Sequence, residues 1–214
     1  IAMTNISWPK SVYSYGFSIR KYALLKQFLP AVHVRNLDKD IVLKESDWVL
    51  VWGAAIIPGH WPNNLHIVRV EDGFLRSVGL GADLVRPVSW VFDHTGIYFD
   101  VTKPSDLENI LATNDFNDAL LARAKALQEQ IIHSRLTKYN VGWQSWQRPK
   151  NGKRIILVPG QVESDASIKL GAIGVSSNLG LLRAVRQSNP DAYIVYKPHP
   201  DVQAGLRSQG LNEY

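Results

Sequence analysis

Two adjacent carboxylates, Glu71 and Asp72, follow a β-branched run and precede a glycine in Arg69-Val70-Glu71-Asp72-Gly73-Phe74-Leu75-Arg76-Ser77. In α/β proteins ligands bind beyond the carboxyl ends of strands. A carboxylate held there can serve as nucleophile or general base. Arg69, Arg76 and Arg86 lie close by in sequence. Guanidinium groups in such positions favour an ionised carboxylate and can grip an anionic substrate through paired N–H groups. The same residue types also make an ordinary surface turn in which the acids pair with the arginines.

A second constellation is Tyr196-Lys197-Pro198-His199-Pro200-Asp201. The prolines restrict the backbone on both sides of His199. A lysine and a histidine fixed in this way suit a phosphate, by charge and by hydrogen bond; a rigid loop with an exposed histidine is the plainer alternative. A third is Val158-Pro159-Gly160-Gln161-Val162-Glu163, where a strand enters a glycine-containing turn followed by polar side chains. Gly160, Gln161 and Glu163 suit a ribose or a base edge, or simply a solvated loop. Ser176 and Ser177 open a helix whose first amides form an anion site, although ordinary N-capping explains them equally well.

Other chemistries lose their support. With no cysteine, thiolate zinc sites, iron–sulfur clusters, disulfides and a cysteine nucleophile are excluded. Neither GxGxxG, GxxxxGK[ST] nor HExxH occurs, and the six histidines are dispersed, so no metal and no cofactor is expected. Asp38-Lys39-Asp40 matches a DxD pattern at a frequency that chance explains.

The elements that must position these residues alternate between strand-like and helical patterns, which points to an α/β fold with a mainly parallel sheet. Strands are expected at 11–15, 31–35, 48–52, 66–70, 154–158 and 193–196. A hairpin is expected from 88–92 and 97–99 around His94-Thr95-Gly96. Helices are expected over 18–28, from the capping box Ser105-Asp106-Leu107-Glu108, over 117–136 and over 178–187, with 159–174 as a loop. Residues 140–153, rich in Gly, Trp, Gln, Arg and Pro, read as a linker. The expected units are therefore 1–139, an N-terminal Rossmann-like acceptor and catalytic unit, and 154–214, a partial nucleotide-binding unit. The roughly 60 residues of the second are few for a free-standing domain, so it is expected to be incomplete.

The chain has 214 residues and a formal net charge of +5. That balance favours an anionic partner such as a nucleotide, an acidic sugar or a phospholipid surface. The basic residues are scattered, which argues against a nucleic-acid partner. No apolar run reaches the roughly 18 residues of a membrane span, and the first residues carry no signal-peptide pattern, so a cytoplasmic protein is expected.

The stretch Arg69–Pro87 resembles the KpsC-type capsule polysaccharide proteins. So do Gly96-Ile-Tyr-Phe-Asp100, Thr137-Lys-Tyr-Asn140, Val158-Pro-Gly-Gln-Val-Glu163, Asn178-Leu-Gly-Leu-Leu-Arg-Ala-Val185 and Tyr196-Lys-Pro-His-Pro-Asp201. The likeness runs from about Val12 to Arg207; Ser208–Tyr214 departs from it. It implies a retaining β-Kdo glycosyltransferase that moves 3-deoxy-manno-octulosonic acid (Kdo) from CMP-β-Kdo onto a Kdo-bearing glycolipid in capsule biosynthesis. It further implies a GT-B-like fold of two Rossmann-type units with a cleft between them, peripheral contact with the inner face of the cytoplasmic membrane, and other capsule-assembly proteins as partners. By the same likeness Asp72 is the catalytic nucleophile with Glu71 beside it, and Lys197 and His199 contact the CMP phosphate. Fixed Lys, Arg and His can stabilise a departing nucleoside monophosphate without a metal. The alternatives are a non-catalytic capsule-assembly or acceptor-binding module, and another CMP-sugar transferase of sialyltransferase type.

Overall fold

The computed structural model describes residues 7–81, 83–142 and 145–210. Its elements in chain order are β1 (Ser11–Tyr15), α1 (Ile19–Phe28), β2 (His33–Asn36), β3 (Trp48–Trp52), β4 (His66–Asp72), β5 (Trp90–Asp93), α2 (Asp106–Thr113), α3 (Asp118–His133), β6 (Ile155–Pro159), α4 (Ala166–Gly171), α5 (Asn178–Ser188), β7 (Tyr193–Lys197) and α6 (Pro200–Gln203). They form a mixed α/β protein whose strands are mostly parallel. Two compact units emerge: Ile1–Phe74 with Ser89–Asn117, and Leu75–Val88 with Asp118–Tyr214.

The first unit is built on a five-stranded sheet in the order β2-β1-β3-β4-β5. Its first four strands are parallel, and β5 closes the edge antiparallel to β4. Sequence dictates the middle of the sheet. Val49, Leu50 and Val51 of β3 are fully buried, so this strand is covered on both faces, as a continuous apolar run requires. Leu50 packs with Val12, Val68, Val70 and with Leu25 of α1. On the opposite face Val49 and Val51 meet Leu43, with Tyr13, Tyr15 and Trp61 over them. Helix α1 starts where Ser18 caps it, its side chain accepting from the Lys21 amide.

The expected hairpin does not form. β5 pairs with β4, and 97–99 is not a strand. The cause is Asp93, whose buried carboxylate accepts from the amides of Thr95, Gly96 and Asp106. Those bonds turn the chain directly towards α2, where the expected capping box of Ser105 and Glu108 is present.

In the second unit β6 and β7 pair in parallel, with Pro159 opposite Lys197. The connection between them carries α4 and α5. Helix α4 falls in the stretch expected to be a loop; Asp165 caps it by accepting from the Ser167 amide. The segment 75–88 belongs to this unit because its amides bond to the turn after α3: Arg76 and Ser77 donate to the Lys138 carbonyl, and Gly79 donates to that of Tyr139. Compactness thus groups 75–88 and 118–139 with the second unit, whereas the composition shift at 140–153 marks a boundary only in sequence. Trp143 and Gln144 of that stretch lie outside the described residues, as do residues 1–6 and 211–214.

Candidate active-site residues and an anion-binding cavity

In the first unit β4 runs through both carboxylates to Asp72, with Glu71 opposite Val91 and Asp72 opposite Trp90. Strand alternation therefore persists, and the two side chains leave opposite faces of the sheet. Asp72 Oδ1 accepts from Trp90 Nε1 at 3.2 Å. Glu71 Oε1 accepts the Asp72 backbone N–H at 2.8 Å. The other Glu71 oxygen crowds Gly53: a Cβ there would sit 3.0 Å from Oε2, on a backbone with φ of +51°. Glycine at the end of β3 thus serves both the left-handed turn and the room for Glu71.

The three arginines have different environments. Arg69 donates to the carbonyls of Gly53 and Ala55, tying the end of β3 to β4. Burial lowers its pKa, opposed by the charge of Asp100. Arg76, in the second unit, is buried, and its guanidinium donates to Ser77 Oγ and the Val85 carbonyl. Arg86 is exposed.

The second unit contains a cavity of about 740 Å³. That is the size of a typical small-molecule site. One wall is the paired carboxyl ends of β6 and β7, where the Gly160 amide donates to the Lys197 carbonyl at 2.7 Å. Gly160, Gln161, Lys197 and His199 line it there. Gly160 must lack a side chain, since a Cβ would run into the Tyr196 hydroxyl and ring. The opposite wall is Leu80 with the turn of Thr137, Lys138 and Tyr139. Among the described residues no Asp or Glu lines the cavity, while two lysines and a histidine do. Such a lining attracts anions.

His199 is held by the helix it opens. Its Nδ1 accepts the Asp201 backbone N–H at 3.1 Å as the N-cap of α6. In the neutral ring the proton therefore sits on Nε2, which leaves a donor. Burial lowers the His199 pKa; the charge of Asp201 opposes this and that of Lys138 adds to it.

Glu163, Ser176 and Ser177 are placed otherwise. Glu163 Oε1 accepts the Asn178 amide at 2.7 Å, at the start of α5. Ser177 is the α5 N-cap, its hydroxyl accepting from Gly180, and both serines are exposed. None of the three is among the residues lining the cavity. Sequence reasoning passed over Asn178. Its buried side chain clamps the Gln161 backbone, with Oδ1 accepting from the amide and Nδ2 donating to the carbonyl. It also passed over Lys138 and Tyr139, quoted for their likeness but given no role.

Comparison with known proteins gives these arrangements a context. Residues 61–214 match the family described as capsule polysaccharide biosynthesis protein. The capsule polysaccharide modification protein LipA of Neisseria meningitidis serogroup A is 42% identical over 206 residues, which are 92% of this chain and 29% of LipA. The lipopolysaccharide-processing protein LpsZ of Rhizobium meliloti is 43% identical over 154 residues, covering 70% of this chain and 35% of LpsZ. The chain thus spans about a third or less of these relatives. Among solved structures, the β-Kdo 2,7 transferase of Thermosulfurimonas dismutans KpsC superposes with a TM-score of 0.72 at 40% identity, covering 92% of this chain and 64% of that one. The β-Kdo 2,4 transferase of the same protein gives 0.74 at 26% identity, covering 97% and 66%.

Proposed function

This chain belongs to the capsule polysaccharide biosynthesis protein family, and from that premise we propose that it is a retaining β-Kdo transferase module. Its donor is CMP-β-Kdo and its acceptor a Kdo-bearing glycolipid. The observation that carries the reading is the cavity at the carboxyl ends of β6 and β7, with Lys197 and His199 on its wall and no acidic side chain among the described residues that line it. The 40% identity to a structure titled a β-Kdo 2,7 transferase supports the sugar.

In this reading Lys197 supplies a positive charge to the donor phosphate, and His199 donates Nε2–H to one of its oxygens. The Asp72 carboxylate attacks the anomeric carbon. The bond from that carbon to the phosphate oxygen breaks, its electron pair leaves with CMP, and a Kdo ester of Asp72 remains. The acceptor hydroxyl oxygen then bonds the anomeric carbon as the ester bond to Asp72 breaks, its proton passing to the CMP phosphate that left from the same face, and two inversions give retention. Glu71, on the other face of β4, holds the strand end through the Asp72 amide. The two units correspond to the halves of a GT-B-like enzyme. A lipid acceptor places the reaction at the inner face of the cytoplasmic membrane, in contact with other capsule-assembly proteins. No helix among the described residues is long and apolar enough to cross a membrane, and the net charge of +5 favours an anionic lipid surface.

Calorimetric titration with CMP tests the cavity, and incubation with CMP-Kdo generated in situ and a Kdo-lipid acceptor, followed by mass spectrometry, tests the transfer. His199→Ala is expected to weaken CMP binding by about 1–3 kcal/mol, the scale of a hydrogen bond to a charged group. Unchanged affinity removes His199 from the site. Binding of CMP without any product supports a donor-binding module in place of an enzyme.

A further inference from the structure

The wall of the cavity across from β6 and β7 is a turn held by hydrogen bonds within itself and to the 76–79 segment. Thr137 and Asn140 staple it from within: the Thr137 amide donates to Asn140 Oδ1, and the Asn140 amide donates to Thr137 Oγ1, each at 2.8 Å. Asn140 Nδ2 then reaches across the unit to the Ser77 carbonyl at 3.0 Å. The amides of Arg76, Ser77 and Gly79 take the Lys138 and Tyr139 carbonyls at 2.7–3.2 Å. The carbonyls of Lys138 and Tyr139 are thus taken up by the 76–79 segment, and both residues line the cavity. The Tyr139 ring stands edge-on to His199, with centroids 6.4 Å apart, and Lys138 Nζ lies 5.3 Å from the Tyr139 centroid. Lys138 is therefore a cation on a separate element that lines the same cavity as Lys197 and His199, near enough for its charge to act on His199.

We infer that Lys138 is a further donor-binding residue that takes the sugar carboxylate of a CMP-ulosonic acid, while Lys197 and His199 take its phosphate. This rests on the donor reading above. The charge arithmetic supports it. In such a donor the phosphate is a diester with one negative charge, and the carboxylate carries the second. Both groups hang on the same anomeric carbon, so the second cation must stand next to the first set rather than within it. Two lysines match two negative charges, and among the described residues no acidic side chain lines the cavity with them, the carboxylates of Asp201 and Asp165 acting on His199 from outside the lining. A neutral hexose nucleotide would leave Lys138 facing no charge, so the residue selects for an acidic sugar.

The test compares two stable probes on the full chain by calorimetry. One is a phosphonate isostere of CMP-Kdo, which bears the carboxylate; the other is the 5′-phosphate methyl ester of cytidine, which has the phosphodiester without it. Lys138→Ala is expected to weaken the isostere more than about tenfold, as loss of a charge-assisted hydrogen bond does, and to leave the methyl ester within about twofold. Lys138→Arg restores most of the loss. The bonds that fix the turn use main chain at position 138, so the unfolding midpoint stays unchanged. Equal loss for both probes makes Lys138 a phosphate ligand and overturns the inference; no loss for either makes it a solvated lysine and does the same. Wild-type protein that binds neither probe overturns the donor reading itself. Wild-type protein that binds both equally overturns only the carboxylate assignment.

Discussion

Asp72 ends a strand with one carboxylate oxygen on the Trp90 indole and its amide on Glu71. Such a side chain has little freedom, which suits a nucleophile that must meet a carbon at about 3–3.5 Å. Asp72→Asn retains the indole contact and removes the charge. Its expected effect is a loss of kcat by orders of magnitude, with CMP affinity kept within about twofold, because the interaction lost belongs to the transition state. Turnover assay and CMP titration on the same preparation check this, and turnover near that of wild type rejects the nucleophile role. The residues that sequence could point to are those whose neighbours restrict them: His199 stands between two prolines, and Asp72 stands against a glycine. Lys138 escaped notice for a physical reason. Its position depends on a hydrogen bond between Asn140 and Ser77, 63 residues apart, and no local pattern encodes that.

At the scale of elements, strands β1 and β3 occupy the residues that their apolar and aromatic runs predict. Helix α5 and the capped start of α2 follow their sequence signals closely as well. Elements whose ends rest on long-range bonds were harder to read. β4 runs two residues past its apolar run because β5 pairs with Glu71 and Asp72. α4 and α6 are short helices of six and four residues fixed by side-chain caps, Asp165 and His199. The join between β6 and α5 depends on Asn178, which holds both backbone groups of Gln161 beside the cavity. Asn178→Ala leaves those groups without their partner at a buried site, and is expected to cost about 1–3 kcal/mol. CMP affinity should fall with it, since Gly160 and Gln161 line the cavity. Denaturant titration with a parallel CMP titration reads both effects; the expected loss of stability with CMP affinity intact would detach this loop from the site.

For the molecule as a whole, two half-buried histidines contribute to the response to acid between pH 7.5 and 5. Burial lowers the pKa of His94, opposed by Asp106 and Asp93, and its Nε2 has no hydrogen-bond partner among the described residues. Burial lowers that of His199 as well. Each folded histidine thus takes up a proton at lower pH than its unfolded counterpart, which does so near 6.5. Between those two values the unfolded state binds more protons, so stability rises with pH there and falls as pH drops below about 6.5. Urea midpoints measured from pH 7.5 to 5 should decline through this window, and His199→Asn should make the decline shallower. A midpoint that rises on acidification contradicts the burial of both rings. For His199 the same protonation costs α6 its cap, because a doubly protonated ring cannot accept the Asp201 amide.

The chain passes between its two compact units three times, after Phe74, after Val88 and after Asn117. One excursion, Leu75–Val88, carries the amides that fix the Lys138 turn. No single cleavage can therefore release either unit as a continuous polypeptide, and a gene fragment beginning at residue 118 encodes a second unit without the segment that braces its cavity wall. Recombination by swapping carboxyl-terminal halves with a relative would join one parent's brace to the other's turn. Donor preference in such chimaeras would follow the match between residues 75–88 and 137–140, and would not follow the origin of β6 and β7 alone.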